Sequence, residues 1–211
     1  KKDRADSSIA SALAAYRLLL SDRNFLTLTF IGGLGISGFL VYLANSPFVL
    51  IDHYGLTPTQ YSLAFSMNAV SFFAVSQATG WLGERFGLVR VMHLAVGAFA
   101  LTMVTMFIVM SLGFNQLPVI AAFLFVGYGV LGLVIPTSAV LALEDHGEIA
   151  GTASALMGTL HFVTAAVAMV VATIFFDGTA LPMAGAIAAC ALAAFLLTQA
   201  TIGRSRVVAA E

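Results

Sequence analysis

Four histidines, ten carboxylates and one cysteine carry the titratable and nucleophilic chemistry of this 211-residue chain. Their spacing assembles no catalytic set. Cys190 has no second cysteine to pair with, so it forms no internal disulfide. Ser154 stands in no G-x-S-x-G elbow. His53, His93, His146 and His161 are too widely separated to suggest a metal cluster. No glycine-rich nucleotide loop follows a strand-like segment. What remains is neutral hydrogen-bonding chemistry. Asn45, Asn68, Gln77, Tyr128 and His161 lie within long apolar runs. There an amide, phenol or imidazole can donate or accept in a low-dielectric pocket. These five are the candidate substrate-cavity residues. The same side chains also suit a hydrogen bond to a neighbouring helix, for His161 especially. The sequence calls for no cofactor, no metal and no enzyme activity.

The elements that must position these groups are written in the composition. Sixty per cent of residues are apolar and 9% are charged, against about 25% charged in soluble domains. Residues 25–51, 54–83, 149–176 and 178–203 contain no Asp, Glu, Lys or Arg, and neither does 91–143. A membrane-spanning helix needs about 20 mostly apolar residues. Six helices are predicted, at about 25–50, 60–82, 88–112, 117–143, 148–175 and 181–202. Pro47 predicts a kink or end for the first, because proline lacks an amide donor. The turn-like GFNQLP divides the longest run, and DGTALP precedes the sixth helix. Strands are not expected, since a membrane barrel alternates apolar and polar residues over about ten positions. The predicted class is an all-α membrane protein. Residues 1–24 form a charged cytoplasmic linker or interfacial helix, 25–203 a six-helix transmembrane unit, and 204–211 a cytoplasmic tail. The lead-in has no signal-peptide pattern and no initiating methionine. The chain is therefore expected to begin inside a longer protein.

Charge sets the expected orientation. With residues 1–24 placed in the cytoplasm, six spans bring all nine Lys and Arg residues to that side. Asp52, His53 and Asp177 fall outside. This is the positive-inside pattern, and it favours an even number of spans with both ends cytoplasmic. Helix packing is expected at small residues: Gly32, Gly33, Gly35 and Gly38 in the first helix, Gly127, Gly129 and Gly132 in the fourth. Gly151, Ala155 and Gly158 are expected to share a packing face of the fifth. Polar side chains concentrate in helices one, two, four and five. The middles of three and six carry no amide or histidine, so those two are expected to face lipid or apolar neighbours. The sparse, divided basic residues offer no nucleic-acid surface.

One polar patch interrupts the apolar runs: GWLGERFGLVR, from Gly80 to Arg90. It resembles the loop between the second and third helices of a major facilitator half, which reads roughly G-x-L-a-D-R-x-G-R-R/K. Gly80, Leu82, Glu84, Arg85 and Gly87 match. Glu84 replaces the usual aspartate and Leu88 a usual base, with Arg90 as the remaining positive charge. YLANSPFVLIDHYGLTP (42–58), EDHGEIAGTASALMGTLHF (144–162) and AAYRLLLSDRNF (14–25) are similar to segments of the bicyclomycin-resistance and CflA-like drug transporters. Taken in order, they resemble the carboxyl-terminal half.

The resemblance implies six transmembrane helices forming one half of a major facilitator fold, as two inverted three-helix repeats. It implies a cytoplasmic gate at 80–90, with the Glu84 carboxylate near the start of the fifth helix, around 149–152. A helix amino terminus favours a carboxylate on general grounds. It implies export of small amphipathic drugs from the cell, across a bacterial inner membrane, in exchange for protons. The partners would be the missing amino-terminal six-helix half, a drug-like substrate, protons and the lipid bilayer. The coupling acid would belong to the other half. A different major facilitator, carrying a sugar, nucleoside or metabolite, and a structural six-span membrane protein are the other readings the residues leave open.

Overall fold

The computed structural model describes the backbone of residues 9–208 and side chains from Ala12 to Thr201. Lys1, Lys2, Arg4, Arg204 and Arg206, which carry part of the expected charge pattern, have side chains outside that range. The elements are helical throughout: α1 (Ile9–Ser21), α2 (Arg23–Pro47), α3 (Pro58–Ser76), α4 (Thr79–Phe86), α5 (Leu88–Ser111), α6 (Leu117–Leu143), α7 (Ala150–Ile174) and α8 (Ala180–Val208). Among the described residues, four continuous helical stretches are long and apolar enough to cross a membrane: Arg23–His53, Leu88–Ser111, Leu117–Ile174 and Ala180–Thr201. The third holds both α6 and α7, joined by a tight 3-10 segment (Glu144–Ile149). Among the long helices α3 alone falls outside this set, because Gln60, Asn68 and four serines dilute its 19 residues.

Local chemistry explains the boundaries. Asp22 starts α2: its Oδ1 accepts the amides of Asn24 at 2.8 Å and Phe25 at 3.2 Å. Pro47 does not stop the chain from coiling. The helix widens there into a π-helical segment (Phe48–His53), which accommodates the missing amide. Thr57 and Gln60 form a capping box at the start of α3, with Pro58 in its first turn. The expected helix at 60–82 is broken. The chain turns at Gln77 and Ala78, and the amphipathic α4 follows as a separate short helix. Gly87 then adopts φ +83° and redirects the chain into α5, a backbone conformation glycine takes without a Cβ penalty. The lead-in contains a true helix, α1, packed on α7 and α2.

Long-range contacts sort the connections into two ends. At one end, Asp22 Oδ2 lies 2.9 Å from His146 Nε2, and the Phe25 ring meets His146 edge-on. This joins the start of α2 to the α6–α7 connection. At the other end, the Tyr54 hydroxyl donates to the Asn115 carbonyl at 2.9 Å, and Phe48 meets Phe176 at 6.0 Å between ring centres. This gathers the end of α2, the α5–α6 turn and the α7–α8 turn.

Between the ends, α2 is the hub, packed against α6, α7 and α8. Helices α5 and α8 pack on each other and on α6 and α2 respectively. The core is made by Phe25, Ile31, Val41, Met92, Phe99, Met103, Leu131 and Ile187, all nearly or wholly buried. Helix α3 packs chiefly on α6 through its small residues: a Cβ on Gly132 would stand 2.3 Å from the Phe72 carbonyl oxygen. The Ser71 hydroxyl donates to the Phe125 carbonyl at 2.7 Å across the same contact. Among the described residues the expected packing face at Gly151 and Gly158 is not used, since no atom of theirs lies within 4 Å of either missing Cβ. Helix α7 instead turns Ala153, Leu156, His161 and Ala165 inward.

Candidate functional site

A cavity of about 450 Å³ opens between α2, α3, α6 and α7. These are the four helices that the polar residues single out in the sequence. Its wall is aromatic: Phe39 and Tyr42 from α2, Phe65 and Phe72 from α3, Tyr128 from α6 and Phe162 from α7. Tyr42 stacks on Phe65, with ring planes 6° apart and centres 6.1 Å apart. Tyr128 meets Tyr42 at 5.2 Å and Phe39 edge-on at 5.9 Å. Such offset and edge contacts hold the rings in fixed orientations.

The polar groups of this wall are few. Asn68 Nδ2 donates to the Tyr42 hydroxyl at 3.1 Å. The Tyr128 hydroxyl is buried and has no hydrogen-bond partner. An unpaired buried phenol costs free energy unless something supplies its partner. The site therefore combines a large apolar contact surface with one amide–phenol pair, while the Tyr128 hydroxyl is shut behind its own ring. It has no carboxylate, ammonium or guanidinium in its lining.

The five sequence-derived candidates separate on this geometry. Asn68 and Tyr128 line the cavity. Asn45 does not; its Nδ2 donates to the Val41 carbonyl of its own helix at 2.8 Å. Gln77 sits at the end of α3 on an open groove with Phe73 and Ala74. His161 is buried between α7 and α2, its ring against Gly32 and Gly33. Tyr42 and the phenylalanines are the lining groups that sequence reasoning missed. A tyrosine or phenylalanine in an apolar span carries no local mark of facing a cavity. The only available signal was the chain's aromatic content of 11%.

The 80–90 segment forms a second polar surface, built on α4. Arg85 lies over the rings of Trp81 at 5.7 Å and Phe86 at 5.8 Å, within cation–π range. Gly80 and Gly87 are open, with no atom within 4 Å of where a Cβ would stand, whereas Gly83 is closed by Leu88. Leu82 is half-buried and Arg90 exposed. Glu84 is exposed, and among the described residues it makes no salt bridge or hydrogen bond. Among the described residues no hydrogen bond or ion pair joins Glu84 to the start of α7. Helix α4 lies over α5 and α6, while α7 packs on α2 and α1. The acid that does serve the α6–α7 connection is Asp22, through His146.

Residues 1–169 match the sequence profile of the Major Facilitator Superfamily. The chain is also 28% identical over 206 residues to YdgK of Bacillus subtilis (strain 168), described as an uncharacterized MFS-type transporter. That similarity covers 96% of this chain and 51% of the relative, so the chain spans about half the length of the curated relative it matches. Both similarities are to transport proteins rather than enzymes. With its four long apolar stretches and a profile match over most of its length, this chain is a multi-pass membrane protein that belongs to the major facilitator superfamily.

Proposed function

We propose that this chain is the carboxyl-terminal half of an exporter of small amphipathic drugs, driven by proton entry. In this reading α2, α3, α5, α6, α7 and α8 are six spans in two inverted triplets, with residues 1–24 and 204–211 cytoplasmic. The membrane is a bacterial inner membrane. The observation that carries the substrate class is the aromatic cavity, whose lining residues include no charged side chain. An apolar ring system gains from such a wall. A sugar or nucleoside would bury several hydroxyls against phenylalanines, leaving them unpaired at a cost of about 1–3 kcal/mol each. This favours a drug-like substrate over the other carriers.

Two observations support a missing half. Helix α3 leaves Leu63, Met67, Val70 and Phe73 exposed, and α7 leaves Phe162, Val163, Val167 and Val170 exposed. Each of these helices packs chiefly on one other. A second six-helix body would cover part of these faces and close the cavity from the opposite side. Residues 25–51, 54–83, 91–143, 149–176 and 178–203 hold no charged side chain, which fits the placement of the coupling carboxylate in the other half that the family resemblance implies. The 80–90 loop is the cytoplasmic gate of this reading. Arg85 is held by its aromatic neighbours, and the exposed Glu84 is free to meet a helix end in another conformational state.

The test uses proteoliposomes containing either the full-length protein or this chain alone, with an outward-to-inward proton gradient. The full-length protein should extrude a lipophilic drug against its gradient, and a protonophore should abolish uphill movement. This chain alone should do neither. Robust uphill transport by this chain alone would reject the half-transporter reading. Gradient-independent movement by the full-length protein would reject proton coupling.

A further inference from the structure

Away from the cavity, a second polar cluster lies where α2, α6 and α7 meet. His161 of α7 is 6% exposed, and its Nε2 is buried with no hydrogen-bond partner. Thr29 of α2 is 1% exposed, and its hydroxyl is likewise buried without a partner. Thr29 lies one turn before Gly33, on the same face of α2. Its main-chain carbonyl faces the imidazole without satisfying Nε2. Ser138 of α6 completes the group. Its hydroxyl donates to the Ile135 carbonyl at 2.9 Å, which leaves its oxygen free to accept.

Gly32 brings these atoms together. A Cβ placed on it would stand 2.6 Å from Ser138 Oγ and 3.3 Å from His161 Nε2. Only a residue without a side chain lets the serine and the imidazole converge on that point. The serine and the imidazole thus meet at one buried place beside α2, the buried Thr29 hydroxyl lies one turn away on that helix, and among the described residues neither Thr29 Oγ1 nor His161 Nε2 has a hydrogen-bond partner. Buried polar groups in native proteins are nearly always paired. Either tautomer of His161 leaves Nε2 in need of one, as donor or as acceptor.

We propose that Thr29, Ser138 and His161 form a buried site for one water molecule, independent of the substrate cavity. A buried water typically makes about three hydrogen bonds. Here they run to His161 Nε2, Ser138 Oγ and Thr29 Oγ1. Water suits the site because it can donate to one atom and accept from another, which no fixed protein group in the cluster does for both orphans. Phenylalanines and tyrosines of the drug cavity take no part. Neither does a charge: α2, α6 and α7 carry no Asp, Glu, Lys or Arg between Phe25 and Ile51, Leu117 and Leu143, or Ile149 and Phe176. The bound water links three helices through bonds that exchange, so the α2–α7 contact at Gly32 and Gly33 stays polar without a permanent side-chain bond.

The experiment is water-edited solid-state NMR on the full-length protein in lipid bilayers, with 15N-labelled histidine. His161 is assigned by its loss in His161→Asn. The wild-type Nε2 signal should gain intensity from water protons within the first few milliseconds of transfer, as fast as for a solvent-exposed histidine such as His53. In Thr29→Val with Ser138→Ala, the signal should persist while that early transfer falls at least threefold. Gly32→Ala should lower it as well. Transfer to His161 Nε2 only from protein protons in the wild type would overturn the proposal. Unchanged transfer in the double variant would overturn it too, since the water would then be held by other groups. The readout needs no transport, so it stands or falls apart from the exporter reading.

Discussion

Replacing Gly132 with alanine places a methyl group 2.3 Å from the Phe72 carbonyl oxygen and 3.2 Å from the Ser76 amide nitrogen. Both are backbone atoms of α3, so no rotamer change relieves the contact. A carbon and a carbonyl oxygen settle at about 3.3–3.6 Å, and α3 must therefore retreat by about 1 Å. Overpacking of this kind costs about 1–3 kcal/mol. The retreat also stretches the Ser71–Phe125 bond, now 2.7 Å, and an interhelical hydrogen bond in a membrane contributes about 0.6 kcal/mol. Against this, alanine in place of glycine within a helix gains about 0.5–1 kcal/mol. The expected net loss is about 2 kcal/mol, or about 30-fold in the unfolding equilibrium. Reversible unfolding in mixed micelles with rising dodecyl sulfate, followed by circular dichroism, measures it. Gly158→Ala is the control, because no atom lies within 4 Å of its missing Cβ. It should be neutral or stabilising. Equal midpoints for the two variants would refute the close-approach argument.

Two further outcomes follow from charges at the bundle ends. The Asp177 carboxyl is held below the usual carboxylate value of 3.8 by hydrogen bonds from Thr179, first its hydroxyl and then its amide. A carboxyl depressed on folding adds stability that is present above its unfolded value and is lost as pH falls through the folded value. Carbon-13 NMR should give a carboxyl midpoint for Asp177 that rises in Thr179→Ala, and an equal or lower midpoint in the variant would refute the assignment. The proposed orientation places Arg85 inside and Asp52 outside. Single cysteines at these positions, in a Cys190→Ser background, should label from opposite sides of intact cells, and labelling of both from outside would end that topology.

Helix positions were legible wherever apolar length and a breaker coincided. The expected fourth helix at 117–143 is α6 without adjustment, because GFNQLP ends one run and the acidic EDHGE begins another. The break before α4 was not legible. Gln77 and Ala78 are no breakers, so nothing local in the sequence marks the turn between α3 and α4. Glycines announced close approach but not the partner: Gly32 and Gly33 meet His161, 128 or more positions along the chain, while Gly151 and Gly158 meet nothing. The same holds for the cavity. Asn68 and Tyr128 were candidates because an amide or phenol can hydrogen-bond within a span. Tyr42 offers the same phenol, and nothing local told the two tyrosines apart before folding set Tyr42 3.1 Å from the Asn68 amide. Periodicity and composition describe one helix at a time, and the site is a property of four.

The contact between Asp22 and His146 spans 124 positions of sequence, and that separation has a cost in time. Ribosomes add about 5–20 residues each second, so α2 leaves the tunnel about 6–25 seconds before the residues that will hold its start. Helices α7 and α8, two of its main neighbours, come later still. During that interval α2 lies in the bilayer or the insertion machinery with Gly32, Gly33, Gly35 and Gly38 uncovered and Asn45 and Ser46 without their final surroundings. Biogenesis of this chain thus includes a waiting period for its own hub. Variants that harm α2 in that period would lower the amount of protein in the membrane without changing the properties of the molecules that finish.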